Sequence, residues 1–463
     1  MNSNPFTRRQ MLAGMSASAL LGRLGSINAH AQSAGGADDY KALVCVLLAG
    51  GNDGHNTIIP LTPTNSNTEA DFNTYIKSRG VLALPDNNGP LLQVQTKNGT
   101  PYGLNPGLSH IHQLWATSGN TPARLAVLAN AGNLVEPVTR AQYLDTLSAV
   151  PLPTNLFSHS DQMQQIQSGI PSGGCTGWGA RAADVLQAMN GTSSFPAGVS
   201  LSGPSLFCTG KDILSTSLFP GFDCDMDGMN LFPPAAANAR LSGLQQVLQF
   251  DSGLKLVQTA NQSRKDAMAL NALLIGSPAQ VATPFPATPI GDQLKQVAKI
   301  IKIRAQTGMS RQIFFCKLGT FDTHYSQSWW HWNMLNDLSE ALAAFYKATA
   351  DDLQIPEKVT TFTMSDFGRT LQPSGNGCDH GWGNHHLIMG GAVKGGDVYG
   401  TFPSLALGGD NDSGSRGALI PTTSLAQYGA TLAKWFGVPD GAAMKSVFDN
   451  IDNFQVKDLG FMS

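Results

Sequence analysis

Ala42-Leu43-Val44-Cys45-Val46-Leu47-Leu48-Ala49 is an unbroken apolar run, ended by Gly50-Gly51-Asn52-Asp53-Gly54. Unbroken rather than alternating apolarity fits a strand covered on both faces, as in a parallel sheet with helices on either side. Three further runs, Leu125 to Ala131, Gln312 to Leu318 and Val359 to Met364, have the same character, and each closes in a polar or glycine-rich turn. Between them, apolar residues three and four apart predict helices at 107–118, 178–189, 291–306, 332–353 and 425–436. Strands separated by helices predict a layered α/β fold with a central, mostly parallel sheet flanked by helices. Residues 190–290 differ: Gly, Pro, Ser and Phe punctuate the first part, and helical patterns at 239–250 and 253–275 fill the second. The expected organisation is one α/β domain over 42–463, preceded by a linker at 32–41 and carrying a largely helical insertion or cap at about 190–290.

Open α/β sheets bind ligands beyond the carboxyl ends of their strands, so polar residues directly after the runs carry the functional signal. Asp53 follows the first, Asp322 and His324 the third, Asp366 and Arg369 the fourth, and Asp379, His380, His385 and His386 crowd the loop beyond. A mixed carboxylate and imidazole set suits Zn²⁺ or Mn²⁺, whereas an all-oxygen set favours Ca²⁺ or Mg²⁺. Asp53 can instead cap a turn. The planar fork of Arg369 can hold a phosphate, sulfate or carboxylate, or clamp Asp366. In Phe157-Ser158-His159-Ser160-Asp161, hydroxyls, an imidazole and a carboxylate meet at a helix start, so Ser160 is either an activated nucleophile or, with Ser158, a helix cap. No Gly-x-Ser-x-Gly elbow is present, and the glycine spacing at 50–54 matches no nucleotide-binding loop. Trp329-Trp330-His331-Trp332 either lines a ring-binding cleft or fastens its helix to the core; packing is the preferred reading.

Residues 1–31 have the parts of an export signal: Arg8 and Arg9, a moderately apolar stretch from Met11 to Leu24, and a small-residue site at Ala29-His30-Ala31. Gly14, Ser16, Ser18, Gly22 and Arg23 make that stretch too polar and too short for a membrane span. Thr7-Arg8-Arg9-Gln10-Met11-Leu12 resembles the twin-arginine consensus, which implies delivery of a folded chain to the periplasm or beyond by the twin-arginine translocation machinery. Removing Arg8, Arg9 and Arg23 takes the net charge from −3 to −6. With no Lys/Arg run in the remainder, a nucleic-acid partner is not expected. Cys45 and Cys316 read as buried small hydrophobes, while Cys208 and Cys224 flank a segment across which they can pair.

The turn at 47–56, Phe157-Ser158-His159-Ser160, Phe321-Asp322-Thr323-His324, Ser365-Asp366-Phe367-Gly368-Arg369-Thr370 and Asp379-His380-Gly381 together resemble the bacterial DUF1501 family. That family looks related to the alkaline phosphatase and sulfatase superfamily, which implies an alkaline phosphatase-like sheet with a metal centre at its carboxyl edge. By that resemblance Asp53 matches the first-strand metal aspartate, and Asp322 with His324 a second aspartate and histidine group. Asp366 matches the aspartate of a late Asp-His pair in which Phe367 replaces the histidine, and His380, with His385, resembles the final metal histidine. The implied activity is hydrolysis of a small phosphate or sulfate ester, with Ser158 or Ser160 in the region of the nucleophile. The alternative is a non-catalytic periplasmic or envelope-associated binding protein on a degenerate scaffold.

Overall fold

The computed structural model describes residues 39–62, 71–119, 121–193, 195–220, 232–275 and 279–463; the expected leader at 1–31 and Cys224 lie outside the described residues. In β1 (Lys41–Leu48) successive side chains point to opposite faces, and both faces are dry. Ala42, Val44, Val46 and Leu48 join one core cluster, Leu43, Cys45 and Leu47 another. β1 therefore lies at the centre of the molecule. It pairs in parallel with β8 (Arg311–Leu318) on one side and β9 (Val359–Ser365) on the other.

The remaining strands are β2 (Ile58–Pro60), β3 (Leu92–Gln95), β4 (Pro101–Leu104), β5 (Leu125–Gly132), β6 (Gly198–Ser200), β7 (Thr216–Ser217), β10 (Asn384–Gly390), β11 (Val398–Tyr399) and β12 (Thr423–Ser424). Among the described residues the main sheet has nine strands in the order β11-β5-β10-β9-β1-β8-β6-β7, with β12 also on β5, while β2, β4 and β3 form a small separate sheet. Every pairing in the main sheet is parallel except those of β10 with β5 and β9. The layered, mostly parallel α/β fold is as the apolar runs predict.

Among the described residues the helices of eight residues or more are α1 (Phe72–Arg79), α2 (His159–Ser168), α3 (Trp178–Val185), α4 (Pro234–Gln249), α5 (Lys255–Ile275), α6 (Pro289–Lys302), α7 (Gln327–Asp351) and α8 (Leu425–Phe436). α6 and α7 cover one face of the sheet through Ile290, Leu294, Leu335, Leu338 and Phe345, and α3 and α8 cover the other through Trp178, Leu425, Leu432 and Phe436. The stretch 190–290 carries α4 and α5, and its β6 and β7 extend the main sheet at its edge. Two sequence expectations, at 107–118 and at His385 and His386, are corrected. The pattern at 107–118 yields a 3₁₀ turn at Pro106–Leu108 running into one α-helical turn at Ser109–His112, shorter than expected. The loop expected to run through His386 ends at Cys378 to Gly383, because His385 and His386 belong to β10.

The turn after β1 is tight. Gly50 sits at φ +111°, and a Cβ there would lie 2.5 Å from the Asp322 backbone nitrogen. Gly50→Ala is expected to destabilise the protein by about 2 kcal/mol or more, from combined left-handed strain and backbone collision. Urea unfolding checks this, and an unchanged midpoint would mean that the turn is not tightly held.

Candidate functional site

The carboxyl ends of β1, β8 and β9 and the amino end of the reversed β10 lie on one edge of the sheet. The Gly50 N–H donates to Asp366 Oδ1 at 3.1 Å, and the Asn52 N–H donates to Ser365 Oγ at 2.7 Å, so the β1 turn is tied to the end of β9. The amino end of α2 comes to the same edge and carries His159.

Here the histidines are oriented by their Nδ1 atoms. His159 Nδ1 donates to Asp366 Oδ2 at 2.8 Å, and His380 Nδ1 donates to the Phe157 carbonyl at 2.7 Å. With those protons assigned, each neutral ring turns an Nε2 lone pair toward Asp322, that of His380 also facing His324 Nε2. The two Nε2 atoms lie 3.6 Å and 3.8 Å from Asp322 Oδ1, and His159 Nε2 is buried with no hydrogen-bond partner. His159, Asp322 and His380 form the group of potential metal ligands among the described residues, their donor atoms all within 4.8 Å of one another. His324 stands at the exposed side, its Nε2 3.0 Å from Asp322 Oδ1 and 3.3 Å from His380 Nε2. Phe367 is buried beneath, with ring centroids 4.6 Å from both His159 and His380. Phe157 holds its carbonyl in place at φ +70°, a conformation that costs a bulky residue energy and is found where surrounding structure enforces it.

Electrostatics separate the roles. The Asp366 hydrogen bond holds His159 above the usual imidazole range against the opposing effect of burial. Burial, reinforced by the charges of Arg369 and His159, pushes His380 below it and favours the neutral, ligating form. Burial would raise Asp322, but the Arg369 hydrogen bond and the charges around it prevail and keep the carboxyl below its ordinary value. Asp379 is likewise held low, because Arg416 outweighs burial.

The other residues singled out in the sequence have different neighbours. Asp53 is fully buried in an ion pair with Arg79; Gln327 also donates to its Oδ2, and its Oδ1 has no hydrogen-bond partner. Arg79 also donates to Asn56 Oδ1, the carbonyls of Thr370 and Leu371 and Cys378 Sγ. Asp366 touches His159 rather than the cluster centre. Arg369 is fully buried and donates to the carbonyls of Gly50, Gly51, Phe321 and Cys378 and to Asp322. It thus clamps Asp322 and the β1 turn, where the sequence suggested Asp366, and every one of its three nitrogens donates to the protein itself. His385 accepts from the Asn130 N–H at 3.0 Å and stacks on Phe402, inside the sheet. Asp379 lies between Arg416 and His324.

Ser158 is the residue before α2, yet its side chain makes no capping bond; its hydroxyl and that of Ser160 donate to Asp161, at 2.5 and 3.2 Å. Neither serine bonds to an imidazole. Within the tryptophan patch, Trp329 and Trp330 depart from the packing expectation at 58% and 38% exposed, whereas Trp332 is half-buried and His331, with Gln327, is buried and fastens the start of α7. Arg79 and the Phe157 carbonyl were not singled out in the sequence, and nothing local to either marks it.

Residues 40–448 match the model of a family described as a protein of unknown function (DUF1501). No curated protein matches the chain. Among solved structures the chain is similar to the PsFucS1 sulfatase from Pseudoalteromonas sp. at 10% identity and a TM-score of 0.33, over 96% of this chain and 76% of that one. At that distance the likeness bears on neither activity nor substrate.

Proposed function

This chain belongs to the DUF1501 family, whose description assigns no activity, and we propose from the site alone that it is an exported, metal-dependent hydrolase of phosphate or sulfate esters. His159, Asp322 and His380 would hold one divalent cation, with His324 as an outer fourth ligand. The observation that carries this reading is the pair of Nδ1 hydrogen bonds, one to a carboxylate and one to a carbonyl, that leave two Nε2 atoms facing one carboxylate oxygen. Such partners fix the tautomer of metal-bound histidines. Tetrahedral Zn²⁺ with bonds near 2.1 Å needs ligand atoms about 3.4 Å apart. The distances around Asp322 Oδ1, 3.0 to 3.8 Å, bracket that value. The nitrogen-rich donor set favours Zn²⁺ over Ca²⁺ or Mg²⁺.

A bound divalent cation supplies Lewis acidity toward an ester oxygen. His159 is the first residue of α2, so the site adjoins a positive helix terminus that favours an anionic group. Asp161 is kept below the usual carboxylate range by Asn155 and Ser158, which makes it a weak base for either serine hydroxyl. Water entering from the exposed side therefore suits the nucleophile's role better than Ser158 or Ser160. His324, 43% exposed with Nδ1 3.5 Å from Asp379, stands where substrate and water would enter. Export by the twin-arginine machinery is part of the proposal and rests on Arg8 and Arg9. Among the described residues, no helix is long and apolar enough to cross a membrane.

One observation favours a second reading, a binding protein without turnover: the guanidinium expected to hold the substrate anion is spent on the protein itself. Elemental analysis of purified protein, with a panel of phosphate and sulfate monoesters, separates the two. About one equivalent of zinc is expected, lost in Asp322→Ala and His159→Ala. Asp366→Asn should weaken metal affinity by about 10- to 100-fold, as loss of an outer hydrogen-bond partner does. Metal without turnover selects the second reading, and a chain that binds no metal sinks the first.

A further inference from the structure

α4 and α5 form a helical hairpin whose tip is apolar and exposed. Val247, Phe250, Leu254 and Leu256 are 62%, 66%, 63% and 81% exposed, all within ten residues of the turn. The turn is pre-shaped by its own hydrogen bonds: Asp251 accepts from the Gly253 N–H at 2.8 Å and from Gln258 at 3.0 Å, and Asn261 donates to the Phe250 carbonyl at 3.2 Å. Large apolar side chains held outward on an ordered turn, rather than folded back onto the helices, call for an apolar partner.

We propose that this tip docks on an anionic lipid surface, inserting Phe250, Leu254 and Leu256 among the headgroups. Charge points to lipid. The whole chain is acidic, with a net charge of −3, yet 232–275 carries four basic residues, Arg240, Lys255, Arg264 and Lys265, against two acids. Lys255 stands between the two exposed leucines, where a cation meets headgroup phosphates as its neighbours enter the acyl boundary. Area argues against a second copy of the chain. The four side chains expose roughly 500 Å², short of the about 800 Å² per partner that a standard interface buries. A shallow lipid contact has no such minimum and strengthens with each apolar side chain and each cation.

Co-sedimentation with vesicles tests this, using full-length wild type and variants that share residues 1–38, so that any leader contribution cancels. Wild type is expected to pellet with phosphatidylethanolamine and phosphatidylglycerol at about three to one, and less with phosphatidylcholine alone. Phe250→Ser/Leu254→Ser should lower partitioning by at least about tenfold at unchanged melting temperature and metal content. Lys255→Glu should weaken binding to the anionic vesicles only. Wild type that stays in solution, or a double variant that pellets like wild type, overturns the proposal. A dimer in light scattering that the same double variant converts to monomer, without vesicle binding, assigns the tip to a second copy and also overturns it.

Discussion

Replacing Arg79 with leucine is expected to destabilise the protein by about 3–5 kcal/mol, enough to leave much of it unfolded at 37 °C. Arg79 ends α1 with no exposed surface, and its guanidinium joins the Asp53 carboxylate, Asn56, two carbonyls of the segment after β9 and the Cys378 thiol. Removing it leaves Asp53 charged in the interior with Gln327 as its one remaining donor and takes the donor from Thr370, Leu371 and Cys378, while Asn56 keeps the Tyr75 hydroxyl. The cost is that of an uncompensated buried charge rather than the net worth of the pair. Arg79→Leu/Asp53→Asn should therefore recover a large part of the loss. Urea unfolding of both single variants and the pair measures the coupling. A single Arg79→Leu variant within about 1 kcal/mol of wild type would show that water reaches Asp53 and that the pair is not a buried one.

Acidification is expected to unfold the chain cooperatively between about pH 6 and pH 4. Burial pushes His55 down to about 4, His331 to about 3 and His386 to about 4, and holds His385 far below the usual imidazole range. In the unfolded chain these rings titrate near 6.5, so below that pH the unfolded state binds protons that the folded state refuses. Stability is therefore intact above about pH 6.5 and falls as pH is lowered. At pH 5 each such ring costs about 2 kcal/mol, and four together rival the whole stability of a typical domain. His159 acts in the opposite sense, since its raised value favours the protonated folded form, but it is one ring against four. Melting temperature followed from pH 7.5 to 4.5 reads this directly, and a flat profile would sink the account.

The sheet was legible because the sequence signal for a doubly covered strand is local: β1 reads as an unbroken apolar run after Lys41, and β8 and β9 as runs of apolar and β-branched residues. β10 was not, because Asn384, His385 and His386 occupy half of it and polar residues in a row resemble a ligand loop. Only the three-dimensional setting shows each imidazole absorbed by an aromatic partner, His385 on Phe402 and His386 on Tyr428. In the candidate site, Asp322, His324 and His380 were legible as polar residues following strands. His159 drew notice as a companion of two serines, whereas its orientation comes from Asp366, more than two hundred positions away. The same limit hid Arg79. It ends a weakly amphipathic helix, and its partners at 53 and 370–378 come to it only through the tertiary fold. Arg369 was visible as a cation, but only the assembled edge reveals that it is fully buried and bonded to the protein through all three nitrogens.

Because β10 runs against its neighbours, residues 366–383 begin and end at one rim of the sheet, fastened to β9 on one side and β10 on the other. Carrying His380 away from that rim means unzipping a strand pair from the middle of the sheet, an opening on the scale of global unfolding. Asp322 and His324 belong to a short span between β8 and α7 and are nearly half exposed. The centre thus has a slow half and a fast half. Amide exchange along β10 should be among the slowest in the molecule, and any small cation should come and go through the span from 319 to 326.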